Sequence, residues 1–236
     1  MYAKVIFDNK ARRGFKSGWG FSCLFDGKVL FDTGPDANPL MENMSRLMVS
    51  AEDVESVVIS HDHWDHTGGL WEILRARKGV KVYACRSFSE EFKKGVKELG
   101  GKLHFPAKPT EIAKNIFVTG EITGLYKGEP IGEQALVVKG QKGVSVVTGC
   151  AHPGVVEVVS SIKKEMSLKK IYMVFGGFHL EDTKRDDVGK VIESLKEMGV
   201  LKVGPCHCTG EKSRRIFSRK YHENFIPVKA GHIIQL

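Results

Sequence analysis

Ser60-His61-Asp62-His63-Trp64-Asp65-His66-Thr67-Gly68-Gly69 is the stretch on which the reading of this chain turns. Three histidines and two aspartates fall within the six positions 61–66. The apolar run Val54–Ile59 before them predicts a strand, and the segment from Thr67 to Arg77 predicts a helix. Imidazole and carboxylate are donors that suit zinc, iron or manganese. His61 and His63 alternate on an extended turn, which can bring both imidazoles to one ion. Asp65 and His66 then point to a neighbouring position at the start of the helix. The plain alternative is a polar loop whose histidines merely cap that helix. Nine histidines spread over 236 residues make such a cluster improbable by chance.

Outward from this stretch, elements follow one another closely. Upstream, Ala3–Phe7, Gly20–Phe25 and Lys28–Phe31 read as strands, the last two joined by the hairpin dipeptide Asp26-Gly27. A basic, glycine-punctuated loop covers Asn9–Trp19, and Pro39–Met48 reads as helix. Downstream, strands and helices alternate. Val80–Ala84 is a strand, Phe88–Leu99 a helix closed by Gly100-Gly101, and short strands lie near Leu103 and at Ile116–Val118. Ala135–Val138 and Val144–Val147 predict a hairpin. Val155, Val158, Val159, Ile162 and Met166 keep a helical stripe, as do Val188, Val191, Ile192 and Leu195. Each stripe precedes a short buried strand, Ile171–Phe175 and Leu201–Val203. No linker divides the hairpin-rich half from the alternating half. The expectation is one domain over 1–236, an α/β four-layer αβ/βα sandwich of two mixed β-sheets with helices on both outer faces.

The 36 lysines and arginines exceed the 28 acids, for a net charge of +8. That field favours a small anionic substrate, phosphorylated or carboxylated. The basic residues are scattered in pairs such as Arg12/Arg13 and Lys163/Lys164, without a run or a stripe interleaved with aromatics, so no nucleic-acid partner is expected. No apolar stretch approaches the ~18 residues of a membrane span. Five cysteines without a secretory leader fit reduced thiols, and the expected location is the cytoplasm. The sequence sets no oligomeric state.

His61-x-His63-x-Asp65-His66 resembles the signature of the metallo-β-lactamase superfamily, and Asp32-Thr33-Gly34 resembles its upstream aspartate. Thr119-Gly-Glu-Ile122, Thr148-Gly-Cys-Ala-His152, Gly176-Gly-Phe-His-Leu180 and Cys206-His-Cys-Thr-Gly210 are similar to its dihydropteroate synthase-like branch. The resemblance covers almost the whole chain. It implies the metallo-β-lactamase fold and two divalent metal ions, zinc first, with iron or manganese served by the same donors. One ion would be held by His61, His63 and His152, the other by Asp65, His66 and His207.

The chain also departs from the family pattern. Cys150 stands where most members carry a bridging aspartate, either as a small packing residue or as a thiolate ligand. Glu121 lies where others have a histidine and can substitute. Trp19 and Glu157 replace a histidine and an asparagine. His179 follows a third strand and is read as a catalytic proton donor or oxyanion clamp, with Asp65 as proton acceptor. Asp32 is expected to orient the metal loop by hydrogen bonding. Cys206 and Cys208 are expected to pack beside His207, since no second cysteine pair completes a zinc ribbon. Thr209 is expected to cap a helix through Phe217 whose N-terminus favours an anion. Core packing is the expected fate of Trp19 and Trp64, with stacking on a flat pterin as the alternative. His104, His222 and His232 default to structure or surface.

Two activities follow from the resemblance. In the hydrolytic one, the metals lower the pKa of a shared water toward ~7, and the resulting hydroxide attacks an ester, lactone or phosphoester. In the other, a transferase joins a dihydropterin methyl pyrophosphate to a ribofuranosylaminobenzene phosphate. A metal-bearing sensor or binding protein without turnover is the alternative of another class.

Overall fold

The computed structural model describes all 236 residues, and the backbone divides into two compact units. The first comprises Met1–Ala107 and Lys229–Gln235, the second Lys108–Val228 and Leu236.

The first unit is built on β1 (Tyr2–Phe7), β2 (Ser22–Phe25), β3 (Val29–Phe31), β4 (Ser56–Val58), β5 (Lys81–Tyr83) and β6 (Lys102–His104). They pair in that order, with the C-terminal strand Ile233–Gln235 on the free edge of β1. Pairing is antiparallel as far as β3 and parallel from β3 to β6. Asp26 and Gly27 both take positive φ at the β2–β3 turn, which is what the Asp-Gly dipeptide predicts. Helices α1 (Ala37–Arg46), α2 (Trp64–Thr67), α3 (Leu70–Ala76) and α4 (Glu90–Glu98) supply the crossovers. Asp36 caps α1 by accepting from the Asn38 amide, and Ser89 caps α4 by accepting from Phe92. Leu40 and Met44 of α1, Leu70, Ile73 and Leu74 of α3, and Phe92 and Val96 of α4 pack with Ile6, Leu24, Leu30, Val57 and Val82 of the sheet. Each such side chain contributes roughly 1.5–3 kcal/mol of burial.

The sequence predicts one helix over Thr67–Arg77, but the structure has two short ones broken at Gly68-Gly69. A Cβ on Gly68 would lie 1.9 Å from the Pro35 carbonyl oxygen, so close backbone approach breaks the helix there.

In the second unit the sheet order is β14-β13-β12-β11-β8-β7. These strands are β7 (Thr110–Ala113), β8 (Ile116–Val118), β11 (Leu136–Gly140), β12 (Gly143–Thr148), β13 (Ile171–Gly177) and β14 (Val200–Cys206). Strands β12, β13 and β14 are parallel, and the others pair antiparallel. A separate hairpin, β9 (Ile122–Tyr126) and β10 (Glu129–Glu133), lies between β8 and β11 in the chain. Helices α5 (Val155–Glu165), α6 (Arg185–Glu197) and α7 (Glu211–Tyr221) complete the unit. The stripes Val155/Val158/Val159/Ile162 and Val188/Ile192/Leu195 face its core with Val146, Val174 and Val203, as the periodicity predicts.

Helix α7 begins at Glu211 with Gly210 as its cap, which corrects the expectation for Thr209. The Thr209 hydroxyl instead donates to the Cys206 carbonyl and accepts from the Phe178 amide, tying the end of β14 to the segment after β13. No helix is long and apolar enough to cross a membrane.

Candidate metal centre

The residues singled out in the sequence gather at the C-terminal ends of parallel strands in each unit. In the first, Asp32 follows β3 and Ser60-His61 follows β4, strands whose register pairs Phe31 with Val58. Asp32 is fully buried and takes a left-handed φ of 53°. Such a conformation costs a non-glycine residue energy and persists only where the surroundings hold it. Here its Oδ1 accepts the Ser60 amide at 2.7 Å, while Oδ2 accepts the Ser60 hydroxyl at 2.8 Å and lies 2.7 Å from His66 Nδ1.

These bonds orient two imidazole rings. The Ser60 hydroxyl has one proton and spends it on Asp32, so at 2.8 Å it accepts from His61 Nδ1. His66 Nδ1 likewise donates to Asp32. One carboxylate thus holds both rings by Nδ1, directly at His66 and through Ser60 at His61, with Nε2 on the far side of each ring. The rings of His61 and His66 lie 4.2 Å apart, and those of His61 and His63 4.6 Å apart.

Thr33 completes the clasp: its amide and hydroxyl both donate to the His66 carbonyl at 2.8 Å. The Thr67 hydroxyl donates to the His63 carbonyl. Asp62, the intervening acid, accepts from the Ser89 amide at the start of α4. Asp65 is buried on α2 with Oδ2 3.4 Å from His66 Nε2. Burial pushes the His66 imidazole down, but the Asp32 and Asp65 carboxylates outweigh it and hold its pKa at about 10. Burial also raises the Asp32 carboxyl. The short contact and the Ser60 donors make this pair an imidazolium–carboxylate.

In the second unit, Cys150 and His152 follow β12, His179 follows β13, and His207 follows β14. A buried carboxylate that the sequence analysis missed, Glu133 at the end of β10, organises the first of these loops. Its Oε1 accepts the amides of Cys150 (2.9 Å) and Ala151 (2.7 Å). Its Oε2 accepts the His152 amide at 2.8 Å and His152 Nδ1 at 2.9 Å. Burial pushes the Glu133 carboxyl up, but the His152 ring and the His152 and Cys150 amides hold it below the ordinary glutamate range. As at His66, a carboxylate holds the His152 ring by Nδ1, with Nε2 on the far side. Ala151, His179 and His207 all take positive φ, so backbone strain clusters at these strand ends.

His179 is exposed, with its ring centroid 4.6 Å from that of His152 and 6.2 Å from that of Tyr126. His207 is buried on the turn His207–Thr209. The Cys208 thiol donates to the Cys150 carbonyl, and a hydrogen bond with Cys208 raises the His179 pKa. Burial pushes the Cys208 thiol up, but hydrogen bonds with Cys150 and His179 hold it well below the ordinary value. Cys206 is fully buried, and Glu121 is half-buried between β8 and β9.

Trp19 (43% exposed) and Trp64 (64% exposed) both stand in solvent, which corrects the expectation of core packing. Trp64 heads α2 and shares its first turn with Asp65, whose buried side chain sets the inward face. His104 stacks on Tyr83, a structural role.

The donor chemistry fits divalent metal. His61, His66 and His152 each have Nδ1 committed to a hydroxyl or carboxylate, the arrangement that ligating histidines show.

Comparison with known proteins agrees. Residues 26–210 match the model of the metallo-β-lactamase superfamily. The chain is 31% identical, over 88% of its length and 84% of that protein, to a Methanocaldococcus jannaschii protein named 7,8-dihydropterin-6-methyl-4-(beta-D-ribofuranosyl)-aminobenzene-5'-phosphate synthase. The crystal structure of Tm1679, described as a metal-dependent hydrolase of the beta-lactamase superfamily, matches with a TM-score of 0.84 at 31% identity, covering 100% of this chain and 99% of that one. The short form of human tRNase Z shares the fold at 12% identity, with a TM-score of 0.65 over 100% of this chain and 99% of that one. This chain belongs to the metallo-β-lactamase superfamily and has its fold.

Proposed function

We propose that the chain is a metal-dependent enzyme of hydrolase type acting on a small anionic ester, lactone or phosphoester, and that its two units work as one domain. The observation that carries this reading is the Asp32–Ser60 relay, which holds the rings of His61 and His66 by Nδ1 at once. A loop that merely capped a helix would need neither bond. In this reading His61, His63 and His152 hold one divalent ion, and Asp65, His66 and His207 hold the other. Such ions, zinc first among them, supply Lewis acidity and lower the pKa of water.

The residues of the chain do the rest. Asp32 and Glu133 keep the ligating imidazoles in one orientation. Asp65 receives the proton released as the nucleophile forms. His179, exposed and with its pKa raised by the hydrogen bond with Cys208, donates to the leaving group or clamps a developing oxyanion. The lysine-rich surface draws in an anionic substrate.

A second reading is the synthase reaction. It is favoured by the name of the 31% identical Methanocaldococcus jannaschii relative and by the exposure of Trp19 and Trp64, two indoles on which a flat ring can stack. There an aromatic amine attacks in place of water, and pyrophosphate leaves.

Turnover assays decide between them. The metal-reconstituted protein is offered phosphoesters and lactones in one arm, and a dihydropterin methyl pyrophosphate with an arylamine phosphate in the other. Hydrolysis that falls at least 100-fold in Asp65→Asn supports the first reading. Amine-dependent release of pyrophosphate supports the second. No turnover in either arm by protein that binds metal leaves the sensor class standing and sinks both.

A further inference from the structure

We propose that Cys150, His179 and Cys208 form a binding site for a thiophilic divalent cation, with two thiolates and one imidazole as donors. None of the three is among the six residues assigned above to the two catalytic ions, and Cys150 Sγ also lies within 4.8 Å of ligand atoms of His152 and of His207. Their ligand atoms all lie within 4.8 Å of one another. In a tetrahedral zinc site with Zn–S about 2.3 Å and Zn–N about 2.05 Å, the ligand–ligand edges are roughly 3.6–3.8 Å. The cluster therefore closes by at most about 1.2 Å per pair, within reach of side-chain rotation on a fixed backbone.

That backbone is fixed by the second unit's own sheet. The three residues follow the adjacent parallel strands β12, β13 and β14, whose register sets Thr148 beside Gly176 and Gly177 beside Cys206. Beyond the ladder, the Gly177 amide donates to the Gly149 carbonyl and the Thr148 hydroxyl to the Gly177 carbonyl. The Thr209 hydroxyl binds across from Cys206 to Phe178. Gly177 also leaves the space that the donors need: a Cβ there would sit 2.7 Å from Cys208 Sγ. Both cysteines are buried, whereas His179 is exposed, so a cation enters from solvent at the histidine and keeps a position open to water or ligand.

Thiolates select soft ions, so cadmium and zinc outcompete magnesium or manganese here, while the His/Asp positions accept all four. On the functional reading above, filling this site occupies the ring nitrogen of His179 and takes it from the substrate. An excess of soft cation then inhibits an enzyme that its other metals activate.

Cobalt reports the two kinds of site separately. Thiolate ligation gives a near-ultraviolet charge-transfer band, whereas histidine and carboxylate ligation gives visible d–d bands alone. Cobalt-loaded full-length protein is expected to show the thiolate band. That band falls by at least half in both Cys150→Ser and Cys208→Ser and persists in His61→Ala, where the d–d absorption drops. X-ray absorption of the cadmium-loaded wild type is expected to show two sulfur neighbours on one ion, a test that needs no variant to fold. Bound cobalt without a thiolate band overturns the proposal. So does a band abolished in Cys150→Ser but intact in Cys208→Ser, or a single sulfur neighbour on cadmium. A thiolate band with no His61-dependent metal instead overturns the catalytic reading and leaves this one.

Discussion

Replacing Glu133 by glutamine keeps the shape of the side chain and changes what it can accept. The carboxylate takes two donors on each oxygen: the Cys150 and Ala151 amides on Oε1, and the His152 amide and Nδ1 on Oε2. The carboxamide oxygen can replace Oε1, but its NH2 group must then face two donors. Hydrogen bonds to charged groups are worth about 1.5–3 kcal/mol each, so losing two costs roughly 3–6 kcal/mol. The His152 ring recovers part of this by moving its proton from Nδ1 to Nε2 and accepting from the new NH2 group. That tautomer has no lone pair on Nε2. The variant is therefore expected to lose about 3 kcal/mol in the metal-free state, a drop of about 1 M in urea midpoint at a slope near 3 kcal/mol per M. Metal affinity falls a further 10- to 100-fold, measured by competition with a chromophoric chelator. The acid limb changes too. Glu133 titrates below its ordinary range in the fold, so its contribution is fully present above about pH 4.3 and is lost as pH falls through the lower folded value. The glutamine variant lacks that component. An unchanged midpoint together with unchanged metal affinity would refute the role given to Glu133.

Asp32→Asn sets an NH2 group against His66 Nδ1 and the Ser60 hydroxyl, breaking a buried ion pair. It is expected to cost about 3–5 kcal/mol in metal-free protein by denaturant titration, and a loss under 1 kcal/mol would contradict the relay. Gly177→Ala puts a Cβ 2.2 Å from the Gly149 carbonyl oxygen and is expected to lower stability by about 1–3 kcal/mol, read as a fall in thermal midpoint. Trp64→Ala and Trp19→Ala remove exposed rings, so stability is expected to stay within about 0.5 kcal/mol. KM for a pterin substrate rises in both if these indoles stack on it, and an unchanged KM removes them from the site.

The metal motif was legible because its chemistry is dense. No other segment offers five metal-binding side chains in six positions, and Asp32 follows a strand that the Asp26-Gly27 turn already marks. The later histidines were legible through the short apolar strands before them. Glu133 was not. It ends a hairpin whose strands carry Gly124, Pro130 and Gly132, residues that mask a strand signal, and a lone acid before an apolar run reads as a strand boundary. Its role rests on three backbone amides, which leave no trace in side-chain composition. The Ser60 relay escaped for a similar reason, since one hydroxyl among histidines carries no spacing rule. Trp19 and Trp64 were misplaced by a size argument. Large indoles usually pack inside, but position 64 heads a one-turn helix whose inward face is taken by Asp65 and His66. The Thr209 hydroxyl looked like a cap because the sequence does not show that Cys206 and Phe178 already claim it.

Metal content of untagged, chelator-free protein by plasma mass spectrometry, on wild type beside His61→Ala, tests the central claim most directly. The account predicts about two or more equivalents of divalent metal in wild type and about one fewer in the variant. Wild-type protein that takes up no metal on reconstitution, or a His61→Ala variant with undiminished content, would contradict it.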